Sequence, residues 1–123
     1  MFRILSIVAA FIFAPHMASA DAVWANYSFI VKPGAEAKLE KALRGYFDGN
    51  AAFTGKVFFN RQVMNGADPS THNIAILQPS VSAWEEGVAS SQSDPKFQAL
   101  AQLFAQNAQS VDESLLTLSL IHI

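Results

Sequence analysis

Residues 81–100 read VSAWEEGVASSQSDPKFQAL, and they contain the signals of a helix that breaks and starts again. Apolar residues at helical spacing open the stretch: Val81, Trp84 and Val88. A serine-rich run at 90–93 interrupts them. Asp94 and Pro95 then supply an N-cap residue and a proline for the first helical position, which indicate a new start. The stretch therefore predicts two short helices in succession.

Two strands are predicted directly before this stretch and one after it. Residues 56–64 and 71–78 are strand-like segments joined by the Gly-containing loop 65–70, which favours an antiparallel hairpin. The helix that starts at Pro95 has an apolar face made of Phe97, Leu100, Ala101, Phe104 and Ala108. Residues 115–123 follow as a last strand, with leucine or isoleucine on both of its faces.

A strand and a helix come first in the chain. Residues 24–31 alternate between two faces and end before Pro33-Gly34, a turn signal. One face is apolar: Ala25, Tyr27, Phe29 and Val31. The other is mixed: Trp24, Asn26, Ser28 and Ile30. Residues 35–47 then place apolar side chains along one side of a predicted helix.

The resulting order, β-α-β-β-α-β, predicts an α+β protein of ferredoxin-like architecture, a four-stranded antiparallel sheet with the helices on one face and the second helix split. Such a sheet usually has one face in water. However, the strand at 115–123 is apolar on both faces, and Phe58 adjoins Phe59. We therefore expect two copies to pack sheet against sheet as a homodimer, with a cavity between sheet and helices. The alternative is a buried central strand that is simply apolar throughout.

The split helical region also suggests a family. Trp84 in a short helix, a serine-rich break and the run 94–100, DPKFQAL, are similar to the split second helix and the Ser-Pro-His-Phe-like segment of antibiotic-biosynthesis-monooxygenase-like domains. These small domains belong to the dimeric α+β barrel superfamily. The resemblance implies a homodimeric α+β barrel, and it covers residues 21–123 in element order. Lys96 stands where that segment often has His, and no His occurs in the second helical region, so the resemblance does not extend to the haem-degrading members.

Residues 1–20 are predicted to be a secretory signal peptide. Arg3 precedes the apolar run 4–14, and small residues at 18–20 precede the expected cleavage site. The alternative is a membrane anchor, but a spanning helix needs roughly 20 apolar residues, about twice this run. Residues 21–123 are then one exported domain, periplasmic or secreted, with no stable membrane anchor after cleavage.

Composition argues against several classes of function. The chain has 8 Lys and Arg against 10 Asp and Glu, a net charge of −2, and no basic patch, so nucleic acid is not an expected partner. It has no Cys and only 3 His, with no acidic residue at ligand spacing, so neither a thiolate nucleophile nor a metal site is expected. Since no phosphate-binding or dinucleotide-binding glycine loop is present, we expect no cofactor.

His72 is the first candidate for chemistry, because it heads an otherwise apolar strand face with Ile74 and Ile76. In a cavity it would act as a general base or contact a polar ligand group. The alternative is a strand-end histidine in water or hydrogen-bonded to backbone. Asn26 is the second catalytic candidate, and with Ser28 it offers polar groups that orient a ligand. The alternative for this pair is a solvent-facing strand surface.

Trp84 and Phe97 are candidates for the wall of a ligand pocket, although a helical aromatic stripe more often belongs to the core. Three functions fit these residues. The first is a binding module for a small apolar or aromatic molecule. The second, which the resemblance suggests, is a cofactor-free monooxygenase for a phenolic or quinone-like substrate, in which His72 and Asn26 handle protons and oxygen. The third is a structural or stress-related interaction domain with a filled barrel.

Overall fold

The computed structural model describes residues 21–64 and 66–118. Its elements are β1 (Ala22–Val31), α1 (Glu36–Asp48), β2 (Lys56–Arg61), β3 (His72–Gln78), α2 (Val81–Gln92), α3 (Pro95–Asn107) and β4 (Ala108–Leu118). The predicted order and the split second helix are confirmed. The predicted signal peptide, residues 1–20, and the end of the last predicted strand, 119–123, lie outside the described residues.

The four strands form one sheet in the order β2-β3-β1-β4, and all neighbouring strands are antiparallel. In the central strand β1, side chains at odd positions pack against the helices. Those at even positions lie on the opposite face, which we call the open face; Asn26 there is opposite Ala75 of β3, and Trp24 is opposite Leu77. The apolar face predicted for this strand is therefore the one that meets the helices.

Two apolar clusters join helices to sheet. The larger brings α1 and α3 onto β1 and β3, and its buried members are Val31, Ala35, Leu39, Leu43, Ile74, Leu100 and Phe104. The smaller brings α2 onto β1, and its buried members are Val23, Ala25, Val81 and Trp84. Because burial of one large apolar side chain contributes roughly 1.5–3 kcal/mol, these clusters supply most of the stabilisation.

The break between α2 and α3 forms as the sequence predicts. The Asp94 side chain caps α3 by accepting a hydrogen bond from the Lys96 backbone N–H at 2.9 Å. Its second carboxylate oxygen lies 3.2 Å from the Tyr46 hydroxyl, which donates to it from α1. One acidic side chain thus starts α3 and ties it to α1.

Two strand boundaries differ from those predicted by three residues or more. β2 ends at Arg61 rather than residue 64, and β4 begins at Ala108 rather than residue 115, directly after α3. The early part of β4 was missed because its polar side chains do not alternate with apolar ones. β4 is an edge strand, so most of these side chains are exposed to solvent. A bulge at Val111 also shifts its pairing with β1.

The open face is apolar at one end and polar at the other. At the apolar end, the Trp24 and Phe58 rings lie 5.7 Å apart, and Phe58 and Leu116 remain 41% and 53% exposed. At the polar end, Asn60 donates to Asn73 at 2.9 Å, and Asn73 donates to Asn26 at 3.0 Å. The second apolar face expected from the last strand and from Phe58 is therefore present at one end of the sheet, and the mixed character predicted for this face of the first strand appears at the other.

Two glycines offer a matched test of this packing. A Cβ on Gly55 would lie 2.2 Å from the Leu77 carbonyl oxygen, whereas one on Gly45, inside α1, would meet nothing within 4 Å. We expect Gly55→Ala to lower the free energy of unfolding by about 1–3 kcal/mol through steric overlap. Gly45→Ala should raise it by about 0.5–1 kcal/mol, because alanine restricts the unfolded chain. Urea denaturation measures both, and a Gly55→Ala protein as stable as the wild type would contradict the packing.

Candidate functional site

An open cavity of about 500 Å³ lies at the end of the sheet where β1 and β2 finish and β3 begins. It is lined by Val31, Lys32, Pro33, Gly34, Glu36, Ala37, Arg61, Thr71 and His72. The space between sheet and helices is filled by the two apolar clusters. The cavity therefore opens at the sheet end and is not enclosed between the two layers.

A tight turn at residues 32–35 shapes one wall of the cavity. The Ala35 backbone N–H donates to the Lys32 carbonyl at 3.0 Å, and Gly34 has φ +83°, a conformation that favours glycine. α1 starts directly after this turn. The turn thus places Glu36, in the first turn of α1, above the start of β3.

His72 forms the floor of the cavity and is only 8% exposed. Its Nε2 contacts a carboxylate oxygen of Glu36, and its Nδ1 lies 2.9 Å from the Thr71 hydroxyl. The imidazole also stacks on Phe59, with ring centroids 5.1 Å apart. Both ring nitrogens therefore have protein partners, and packing holds the ring in place.

Thr71 connects this histidine to the backbone of β1. Its hydroxyl accepts a hydrogen bond from the Val31 N–H at 2.9 Å and lies 3.4 Å from the Phe29 carbonyl. When the hydroxyl donates to His72 Nδ1, the imidazole proton lies on Nε2, facing Glu36. When it donates to the Phe29 carbonyl, His72 can donate from both nitrogens. The threonine therefore accommodates either protonation state of the ring.

Glu36 is held at the rim by two partners. The Arg61 guanidinium donates to both carboxylate oxygens, in the bidentate geometry that arginine favours, and His72 contacts one of them. These hydrogen bonds, first from Arg61 and then from His72, lower the pKa of Glu36 to about 2. The carboxylate is therefore ionised at any physiological pH.

Together these side chains form a chain of polar contacts from Arg61 through Glu36 and His72 to Thr71. Glu36 and Arg61 are at the solvent side, whereas His72 is buried. A ligand would meet the rim groups first, and His72 could accept a proton from it only by exchanging a contact with Glu36 or Thr71. The arrangement is suited to holding a polar group at the mouth of the cavity.

Asn26 and Ser28 lie elsewhere. Asn26 is on the open face and accepts a hydrogen bond from Asn73, whereas His72 is on the face that meets the helices, opposite Phe29. Ser28 shares the open face with Asn26. Because the two faces are separated by the sheet, Asn26 and His72 of one chain do not meet in one site. The predicted joint handling of protons and oxygen has no geometric basis within a single chain.

Trp84 and Phe97 do not line the cavity either. Trp84 is 3% exposed and packs in the smaller cluster with Val23 and Ala25. The Phe97 ring lies 5.8 Å from that of Tyr46, in an edge-on contact between α3 and α1. Trp84 is therefore a core side chain, whereas Phe97 is partly exposed and packs between α3 and α1. His72 is thus the one sequence candidate among the cavity residues.

Sequence reasoning missed the other polar residues of the cavity. Arg61 is opposite His72 in the β2–β3 pairing, so a register assigned to the predicted hairpin would have placed them together. Glu36 had only a weak signal, an acidic residue just after a Pro-Gly turn at a helix start. Glu36 and His72 are 36 positions apart in the chain, and only tertiary packing brings them into contact.

Tyr27 and Glu113 form a second polar pair, outside the residues that line the cavity. They are opposite each other in the β1–β4 pairing, on the face that meets the helices. Burial, followed by the nearby Glu113 charge, raises the pKa of Tyr27 to about 12. The phenol therefore stays protonated throughout the physiological range.

Across residues 21–64 and 66–118, no group of three or more His, Asp or Glu side chains is arranged to hold a metal ion. Within the same part of the chain, no helix combines the length and the apolar character that a membrane crossing requires.

The depressed pKa of Glu36 predicts a specific acid sensitivity. The pKa of this carboxyl is 4.5 in the unfolded chain and about 2 in the folded one. Between these two pH values the unfolded chain binds more protons at Glu36 than the folded chain does. The stability that Glu36 contributes is therefore complete above pH 4.5 and is lost as the pH falls towards 2. We expect Glu36→Gln to be less stable than the wild type at pH 7, with the difference shrinking towards pH 2 in urea denaturation.

Glu40→Gln is the matched control, because Glu40 pairs with Arg44 on the exposed side of the same helix. Hydrogen bonds from Ser70 also lower the pKa of Asp68, so the fold loses the stability contributed by Asp68 in acid as well. This loss is the same in all variants, so it cancels when their stabilities are compared. A gap between wild type and Glu36→Gln that stays constant from pH 7 to pH 2 would refute the assigned contacts.

Comparisons with known proteins bear on the fold. No family model matches the chain, and no curated protein matches its sequence. Among solved structures, SnoaB, a cofactor-independent oxygenase from Streptomyces nogalater, is similar with a TM-score of 0.59 and 19% identity, over 84% of this chain and 100% of that one. A dimeric ferredoxin-like protein of unknown function from Thermobifida fusca YX is similar with a TM-score of 0.57 and 13% identity, over 82% and 92% of the two chains.

A dimeric protein of ferredoxin-like fold and unknown function from Bacteroides fragilis NCTC 9343 is also similar, with a TM-score of 0.50 and 10% identity, over 79% and 96% of the two chains. At these identities the likeness concerns the fold alone. The predicted α+β, ferredoxin-like fold is confirmed, and it is shared with proteins described as dimeric.

Proposed function

We propose that this protein is an exported, homodimeric α+β-barrel domain that binds a small molecule with an apolar or aromatic body. The observation that carries the proposal is the cavity of about 500 Å³ with buried His72 on its floor. Binding sites for small molecules commonly measure about 300–1,000 Å³ and combine apolar walls with a few convergent polar groups. Val31, Pro33 and Ala37 supply apolar wall here, and His72 with Thr71 supplies the polar contacts.

The homodimer in this proposal is supported by the open face. Trp24, Phe58 and Leu116 form an apolar end that no helix of the described chain covers, and such patches commonly mark interfaces. The asparagine row beside it would satisfy hydrogen bonds across a face-to-face contact. The two neighbours described as dimeric have the same fold. Export is supported by the signal-peptide pattern of residues 1–20.

A cofactor-free monooxygenase is the second candidate. It is favoured by the fold shared with SnoaB, described as a cofactor-independent oxygenase, and by a histidine in the cavity. The surroundings of His72 favour a binding function over proton transfer, because both of its ring nitrogens are engaged by Glu36 and Thr71. Oxygen consumption with phenols separates the two candidates.

Native mass spectrometry of the protein purified from its host tests the main proposal as a whole. We expect a dimer of chains that begin at Asp21, each carrying one small molecule of a size that suits the cavity. Chains that begin at Met1 would contradict export, and protein that neither carries nor takes up a small molecule would favour an interaction domain instead.

A variant that fills the cavity locates the binding site. Ala37 lines the cavity and is exposed, so Ala37→Trp should block uptake of the ligand without disturbing the core. Ala99→Trp, at an exposed position on α3, is the control and should bind normally. Equal ligand occupancy in both variants would place the binding site elsewhere. Oxygen consumed in the same incubations would favour the second candidate.

The dimer proposal predicts the effect of one surface charge. Phe58→Asp places a carboxylate in the apolar end of the open face, where dimerisation would have to desolvate it. We expect this variant to be monomeric at micromolar concentration by light scattering, whereas the wild type is dimeric. Ala105→Glu, on the exposed side of α3, should leave the mass unchanged. A dimeric Phe58→Asp protein would exclude this face from the interface.

A further inference from the structure

The side chains that line the cavity carry more positive than negative charge. Lys32 and Arg61 are cationic, and Glu36 is the one carboxylate among the lining residues. Before His72 is counted, the cavity therefore has an excess of one positive charge. The chain as a whole has a net charge of −2, so this local excess runs against the overall balance. A concave site of one sign raises the local concentration of ligands of the opposite sign.

Glu36 is not available to a cationic ligand. Both of its oxygens accept hydrogen bonds from Arg61, and one of them also contacts His72. A cation that entered the cavity would have to compete with a bidentate guanidinium for this carboxylate. Arg61 is correspondingly neutralised by Glu36, so these two charges largely cancel for an incoming ligand.

Lys32 is the charge that remains. Within residues 21–64 and 66–118, no carboxylate lies within 4 Å of its ammonium group, and the residue is exposed. Its backbone is fixed on both sides of the Cα: the N–H donates to the Asn107 carbonyl at 2.8 Å, and the carbonyl accepts from the Ala35 N–H, which closes the turn. The turn therefore fixes the backbone of Lys32 beside the apolar wall of Val31 and Pro33, within reach of its unpaired ammonium group.

We propose that the ligand of this cavity is an organic acid, whose carboxylate pairs with Lys32 and whose apolar body lies against Val31 and Pro33. This inference rests on the proposed binding function and specifies the ligand class for the same site. It assigns a binding contact to Lys32, a residue that no sequence motif singled out. The carboxylate forms no new bond and exchanges no proton in this arrangement; it is held by charge and hydrogen bonding.

Three probes with one body and different charges test the ligand class: 4-hydroxybenzoate, 4-hydroxybenzamide and 4-hydroxybenzylamine. Each is titrated into the full exported domain at pH 7 and low salt, and amide shifts are followed by ¹H–¹⁵N NMR. We expect the benzoate to bind about fivefold more tightly than the amide, the gain of one partly exposed ion pair, and the amine to bind most weakly. The shifts should include the amides of Lys32, Gly34 and Ala37.

Lys32→Met keeps the apolar stem and removes the charge, so it should abolish the roughly fivefold preference for the benzoate over the amide. Lys38→Met is the control, since Lys38 is exposed on α1 and does not line the cavity. Equal affinities for the three probes in the wild type would overturn the inference and leave the binding function standing. No shift at the cavity amides with any probe would overturn both, and a preference that survives in Lys32→Met would exclude Lys32.

Discussion

The strict alternation of side chains along β1 is the constraint on which the rest of the structure depends. β1 lies between β3 and β4, so each of its residues is committed to one face of the sheet. Odd positions from Val23 to Val31 build both apolar clusters, and even positions build the open face. The same alternation decides which polar residues can act together. It puts Asn26 with Asn73, and it puts the residues that surround His72 on the other side.

The order of elements and the helix break could be predicted because each rests on local signals. The Asp94 cap and the proline after it act within one helical turn, and the alternation of residues 24–31 is a property of one strand. The start of β4 could not be predicted in this way. Its first residues are polar because β4 is an edge strand with a bulge, and edge position is a property of the assembled sheet. Patterns within one segment do not report it.

The candidate site was only partly predictable for the same reason. His72 was noticed because a histidine on an apolar strand face is unusual. Its partners come from the start of α1 and the end of β2, and no spacing in the chain links them. The ionised carboxylate of Glu36 changes the role that His72 can have. The ring contacts Glu36 and Thr71, so it is one member of a fixed polar chain and not a free base. Whether His72 can act as a base therefore depends on neighbours that only the three-dimensional arrangement shows.

The bulge in β4 bears on whether the sheet can be extended by strands of other molecules. Val111 interrupts the regular hydrogen bonding of the outer strand, and Asp112 beside it is charged and exposed. An irregular, charged border is a poor template for the addition of a further strand from another molecule. Growth of the sheet into a continuous ribbon is thereby discouraged at this border. Association through the face proposed for the dimer would differ, because it ends once two molecules have met.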